Sequence, residues 1–301
     1  MDKKQELSGL VIVNKEEGIT SQGVVNRVKR IFGVAKAGHT GTLDPMATGV
    51  LPVLIGRGVK ASEFMLISDK HYGATLLLGV TTDTEDVTGT VLTECEVDLT
   101  EDEVLSTIQS FVGEIMQTPP MYSALKVGGK KLCDLARRGE VIEREARPVT
   151  VHSITAKRIN EREYFLDVVC SKGTYIRTLC ADIGAALGVG GTMKTLERLS
   201  ASGYNIEEAR TLTELESMSE EERFGFVRPV EEVFKKYEIV ELPDFFARLA
   251  HSGLEIYLYK IKRELNLGQI VRLYDKDGFF AVGEVREYEE QKLAIKPIRQ
   301  F

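Results

Sequence analysis

The sequence contains no C-x-x-C pair; its four cysteines stand apart at 95, 133, 170 and 180. That spacing excludes a zinc ribbon and offers no disulfide framework, and it predicts reduced, mostly buried thiols of a cytoplasmic protein. The four histidines at 39, 71, 152 and 251 show no metal-ligand spacing either. A phosphate loop is lacking, because Gly56-Arg-Gly-Val-Lys60-Ala-Ser has the wrong spacing. Gly188-Val-Gly190-Gly191 follows a predicted helix instead of a strand, which rules out a dinucleotide fingerprint. There is no G-x-S-x-G nucleophile elbow. Apolar runs such as that from Gly49 to Gly56 fall far short of the roughly 18 residues that cross a bilayer. The charged start leads into no apolar h-region and predicts no signal peptide. Any chemistry is therefore expected from side chains alone, with no metal, no cofactor and no membrane.

What is present suits two soluble domains. The chain has 301 residues, 43% apolar and 28% charged, enough to bury a sizeable core. Its net charge of −7 speaks against a nucleic-acid partner until the distribution is considered. Residues 83–103 carry nine acids and no Lys or Arg, and residues 214–241 carry nine acids against four bases. Setting aside those segments, at −9 and −5, leaves the remainder at +7. A polyanion meets a local surface and not an average, so an RNA partner is permitted.

Hydrophobic periodicity predicts a strand over 9–15, then an amphipathic helix capped by Thr20 or Ser21, faced by Val24, Val25, Val28, Ile31 and Phe32, and ended by Gly33. A strand is expected over 72–78. Thr100 and Glu103 form a capping box ahead of a helix that stops at Gly113. A strand over 164–170 leads into a helix from about Ile176 to Leu187. Strands and helices mix without strict alternation, which favours an α+β fold. Two stretches, 33–49 and 117–150, show little core periodicity and are expected to be functional loops. From about 237 short β-like runs broken by turns, with Asp277-Gly278 as a hairpin signal, predict a small appended β-barrel.

The segment from His39 to Gly49 packs a carboxylate, an imidazole and glycines into one loop, making it the best site candidate. The competing reading is a turn in which Asp44 caps nearby backbone, with His39 structural. Arg177 opens a helix, where the dipole favours anions, so it suits a partner anion, against the commoner reading of a solvated arginine. If Asp44 and Arg177 meet, the pairing holds the carboxylate ionised, as a nucleophile needs. Tyr72, Tyr122 and Tyr175 read first as packing residues. The basic excursion with Lys126, Lys130, Lys131, Arg137 and Arg138 reads as a solvated face or, given Pro119-Pro120 and Gly128-Gly129, a phosphate contact.

These motifs together resemble the bacterial tRNA pseudouridine-55 synthases. The likeness rests on Gly38-His-Thr-Gly-Thr-Leu-Asp-Pro-Met-Ala-Thr-Gly49, Lys15 with Gly18-Ile-Thr-Ser21, and Lys70-His-Tyr72 with Gly79-Val-Thr-Thr-Asp-Thr84. It extends through Pro119-Pro-Met-Tyr-Ser-Ala-Leu-Lys126, Arg144-Glu-Ala-Arg-Pro148 and Lys172-Gly-Thr-Tyr-Ile-Arg177. Two positions depart from the family pattern: Glu16 replaces the usual proline after Lys15, and Cys133 replaces an aromatic.

The resemblance implies a pseudouridine synthase fold, a mixed and largely antiparallel sheet with flanking helices, over residues 1–236. A PUA-like RNA-binding β-barrel would occupy 237–301. It implies isomerisation of uridine 55 in the T-loop of tRNA by base flipping, with Asp44 as nucleophile. His39, Tyr72, Tyr175, Arg177 and Leu196 would hold the substrate, and Lys15, Lys126, Lys130, Lys131 and Arg137 would contact RNA. A cytoplasmic monomer with no obligatory protein partner is expected. The alternatives are a tRNA-folding chaperone whose catalysis is secondary, and an enzyme guided to another RNA by a partner complex.

Overall fold

The computed structural model describes residues 7–123, 125–140 and 142–301. Its centre is a nine-stranded sheet. Along the main path the strands run Gly9–Lys15, Thr48–Ile55, Gly191–Ala201, Lys70–Leu78, Glu163–Cys170, Arg147–Arg158 and Gly113–Gln117. Ala37–His39 and Tyr204–Asn205 attach to its side. Pairing is antiparallel except where Thr48 and Gly49 lie parallel to Glu197 and Arg198. This is the mixed, largely antiparallel α+β arrangement expected.

Helix Ser21–Ile31 starts where Thr20 accepts a hydrogen bond from the Gly23 N–H at 2.9 Å. It buries Val24, Val25 and Val28 against Val11, Val13, Leu51 and Val53 of the first two strands. Helix Glu101–Ser110 carries the predicted Thr100/Glu103 box, and Val104 and Ile108 cover the far half of the sheet with helix Ile176–Ala186. All three helices lie on the sheet because their apolar stripes have nowhere else to go.

Three expectations need correction. Residues 33–49 are not free of core: Leu43 and Ala47 are buried, and 37–39 form a strand. The excursion over 117–150 is not one long loop. It holds a hairpin of Lys126–Val127 and Lys130–Lys131 turned through Gly128 and Gly129, both at positive φ, as the tightest hairpin turns demand. Helix Leu132–Ala136 follows, anchored by buried Leu132 and Leu135, and the strand Arg147–Arg158 begins within the same span. Short amphipathic pieces of this size leave too few apolar positions to show a period.

The third correction concerns the tail. Strands Glu238–Glu241, Ile270–Asp275, Gly278–Glu287, Leu293–Gln300 and Ile256–Tyr257 form an open five-stranded sheet, a half-barrel. Its end strands are four and two residues long and do not pair with each other among the described residues, so the sheet does not close. Helix Asp244–His251 packs over it. Phe234 joins this sheet to the body, 5.0 Å from Phe64 and 5.3 Å from Phe301 between ring centroids. No helix among the described residues is long and apolar enough to cross a membrane.

Candidate active site

The loop carrying Asp44 is clamped from three sides. Ser21 donates from Oγ to the Leu43 carbonyl at 2.9 Å and accepts from the Leu43 N–H at 2.8 Å. Lys15, fully buried, donates from Nζ to the carbonyls of Glu16 at 2.9 Å, Pro45 at 3.0 Å and Ala47 at 2.5 Å. An ammonium has three N–H donors; two are spent on this loop and the third on the neighbouring Glu16 carbonyl. Arg198, 1% exposed, supports the other end: its Nε donates to the Val50 carbonyl at 2.7 Å and its Nη2 to the Gly41 carbonyl at 3.1 Å.

Asp44 meets Arg177 across this loop, with Oδ2 3.0 Å from Nε. The guanidinium is buried and fully engaged. Its Nη1 donates to the Thr84 carbonyl at 3.0 Å and lies 3.6 Å from Asp86 Oδ2, and its Nη2 donates to the Tyr122 carbonyl at 2.7 Å. Asp86 is itself fixed, accepting at Oδ1 from Thr84 Oγ1 and the Thr88 N–H, both at 2.9 Å. Burial raises the Asp44 carboxyl above the ordinary range; Arg177 pulls it back, the Asp86 charge pushes it up again, and Lys15 opposes. One cation facing two carboxylates leaves Asp44 as a partly desolvated base or nucleophile with limited help.

Asp44 opens onto a cleft of about 270 Å³ whose walls include Tyr72, Tyr175, Leu196 and Arg198. Tyr72 is buried on strand Lys70–Leu78, directly across from Arg198 in the antiparallel pairing with strand Gly191–Ala201. Tyr175 caps helix Ile176–Ala186, and both its N–H and its carbonyl are bonded to the buried Gln117 amide, at 2.8 and 3.0 Å. That double bond fixes where the ring enters the cleft. Leu196 comes from strand Gly191–Ala201. A concave apolar pocket with a few convergent polar groups suits a small flat ligand.

His39 is half-buried at the end of strand Ala37–His39, one residue before the cleft wall begins at Thr40. Burial and then the Arg198 charge lower its pKa, which favours the neutral ring. Lys130 and Arg137 are exposed on the excursion, with Arg137 3.5 Å from Asp134. The side chains of Lys126 and Lys131 lie outside the described residues. Lys15 requires a correction: it was expected against RNA, but it has no exposed surface and its donors are bound inside the loop.

Asp86, Arg198 and Lys70 were missed. Asp86 sits in the acidic run over 83–103, where no single carboxylate stands out. Arg198 carried one usable signal, two positions from Leu196 on the same strand face. Among the described residues no group of three or more His, Cys, Asp or Glu could hold a metal.

Residues 29–176 match the family profile described as TruB family pseudouridylate synthase (N terminal domain), and 177–235 match the tRNA pseudouridylate synthase B C-terminal domain. A tRNA pseudouridine synthase B of Clostridium tetani is 42% identical, covering 92% of this chain and 96% of its own. The protein of that name from Methylobacillus flagellatus is 41% identical, over 93% of this chain and 92% of its own. Among solved structures, a Cbf5-Nop10-Gar1 complex contains a chain similar at a TM-score of 0.71 and 26% identity, over 97% of this chain and 84% of that one. An archaeal box H/ACA sRNP Nop10-Cbf5 complex matches at 0.70 and 25%, over 98% and 86%.

Proposed function

We propose, from the premise that the chain belongs to the TruB family and is a tRNA pseudouridine synthase, that it converts uridine 55 of the T-loop with Asp44 as the nucleophile. The observation that carries this reading is the Asp44–Arg177 pair at the floor of a cleft bordered by Tyr72, Tyr175 and Leu196. In the reaction the N1–C1′ bond breaks, the uracil turns, C5 bonds to C1′, and the C5 proton is lost while N1 gains one. Electrons and atoms balance without an oxidant.

The target base lies inside a folded loop and must be everted, at a cost of a few kcal/mol of unstacking. Tyr72 and Tyr175 border the uracil and Leu196 walls the pocket, so that a detached base is retained. His39, neutral and at the cleft's entrance, stacks in the remodelled loop and offsets part of the unstacking. Arg177 keeps Asp44 charged against the burial that opposes ionisation. Attack on C6, attack on C1′ and removal of the C2′ proton all need the same carboxylate; deuterium effects at C2′ separate the last from the others.

Residues 1–236 form the catalytic body in this reading, and 237–301 a PUA-like RNA-binding unit. Lys126, Lys130, Lys131 and Arg137 meet the tRNA backbone, and the protein works as a cytoplasmic monomer on naked tRNA. The test is tRNA carrying tritium at C5 of its uridines. Purified protein should release tritium from position 55 and Asp44→Asn should not; equal release by both proteins would sink the reading, and dependence on a partner complex would redirect it to another RNA.

A further inference from the structure

The cleft is electrostatically lopsided. At the Asp44 end, Arg177 is matched by two carboxylates, Asp44 and Asp86. The same cleft is also lined by Lys70, Lys172 and Arg198, and none of the three makes an ion pair among the described residues. Lys70 and Arg198 are close together around Gly41. A Cβ built on that glycine would lie 3.6 Å from Arg198 Nη1 and 3.8 Å from Lys70 Cε, so the two cationic side chains flank the same bare stretch of backbone. Gly41 holds φ of +140°, a conformation that L side chains rarely adopt, which keeps the space open.

Arg198 is 1% exposed, so its charge has been taken out of water with backbone carbonyls as its hydrogen-bond partners. Lys70 is half-buried, and after burial it is Arg198, and more weakly Lys172, that make its protonation harder. Clustering like charges in a partly desolvated cleft destabilises the free protein unless an anion arrives. A second observation points the same way. Thr40, 1% exposed and lining the same cleft, has a hydroxyl with no hydrogen-bond partner. A buried orphan hydroxyl is destabilising and is a place where a ligand oxygen completes the network.

We propose that Lys70 and Lys172, with the buried Arg198 charge behind them and the unpartnered Thr40 hydroxyl beside them, form a phosphodiester subsite that grips a backbone phosphate flanking the everted uridine. The proposal rests on the isomerase reading and deepens it. A base whose sugar faces Asp44 has its phosphates some ångströms further out, and these cations form the only strongly positive surface of the cleft among its described lining residues. Gripping the phosphate pins the ribose, so the glycosidic carbon stays beside the carboxylate while the uracil is detached. Such an anchor gives positioning that the flat, sequence-neutral contacts to the base cannot.

The experiment uses a T-stem-loop RNA in which the phosphate on the 5′ or the 3′ side of the target uridine is replaced by a neutral methylphosphonate. Binding is read on full-length Asp44→Asn protein, and again with Lys172→Gln or Lys70→Met added. Lys172 is exposed, so its variant tests the site without threatening the fold. One of the two methylphosphonates should weaken binding about tenfold, the size of one lost charge-assisted hydrogen bond. In the Lys172→Gln or Lys70→Met background the same replacement should cost less than about twofold, because the partner is already gone. Independent, multiplying losses at both phosphates would overturn the subsite, as would a lysine variant that weakens every RNA by one common factor. Tritium release by the wild-type protein on unmodified RNA tests the isomerase reading separately, so release combined with independent losses removes only the subsite.

Discussion

Gly49 lies flat against the backbone of Arg198, where the strand leaving the Asp44 loop runs parallel to strand Gly191–Ala201. A Cβ on Gly49 would collide with the Arg198 backbone, and its φ of +102° is itself costly for any other residue. Gly49→Ala should therefore destabilise by about 2–4 kcal/mol, since strain and backbone overlap combine. Thermal unfolding checks this, with a midpoint unchanged from wild type as the contrary result. The same variant should lose activity, because Arg198 holds the Gly41 and Val50 carbonyls on either side of Asp44.

Removing Arg177 should shift the pH dependence in a definite direction. Asp44 already sits above its ordinary range through burial, and Arg177 is the largest influence holding it down. In Arg177→Met the carboxyl should protonate at higher pH, so the acidic limb of kcat/KM moves upward. Asp86 would be left buried without its cation, and unfolding experiments should show a loss of about 3–5 kcal/mol. An unmoved acidic limb, in a variant that still folds, would mean that Asp44 is not the titrating group.

Asp44→Asn should leave the protein at least as stable near neutral pH. The folded carboxyl has a raised pKa, so its contribution to stability is complete below the unfolded value and is lost as pH rises through the folded one. Substituting a neutral amide removes that loss. The stability difference between variant and wild type should favour the variant above the folded pKa, shrink as pH falls from there towards the unfolded value of 3.8, and stay flat below it. Denaturant midpoints measured across this range would show the opposite trend if Arg177 overcompensated burial.

Much of this could be read from the sequence because the informative residues are close in the chain. Thr100 and Glu103 are three apart, and the box they form is local chemistry that no packing overrides. The Asp44 loop announced itself through glycine and proline, which restrict backbone geometry wherever they stand. By contrast, the strand Arg147–Arg158 has exposed positions that interrupt the apolar alternation, so period alone did not reveal it. The role of Lys15 was hidden for a different reason: a lysine's partners here are carbonyls at 45 and 47, and backbone acceptors leave no trace in residue identity. Barrel closure depends on pairing between strands distant in sequence, which turn signals do not specify.

That reassignment of Lys15 separates two outcomes. A lysine on the RNA surface would, when lost, weaken binding and spare the rate at saturating RNA. A lysine tied to two carbonyls of the Asp44 loop should do the reverse. Lys15→Met should leave tRNA affinity within about twofold and lower kcat on the order of tenfold or more, because misplacing Asp44 slightly is expensive. It should also lower stability, since buried carbonyls lose their donor at about 1–3 kcal/mol each. Single-turnover rates beside equilibrium binding decide between the two.

The excursion should behave in the opposite way to Lys15. Lys130 is exposed beyond the Gly128-Gly129 turn and has no ion pair among the described residues, so nothing inside the protein depends on its charge. Each lysine that neutralises a phosphate releases a counterion, which makes affinity fall with salt despite the chain's net charge of −7. Lys130→Ala should weaken tRNA binding and flatten the plot of log affinity against log salt by somewhat under one unit, while the rate at saturating RNA stays close to wild type. An affinity already insensitive to salt in the wild-type protein would contradict phosphate contact by this face, whatever the substitution did.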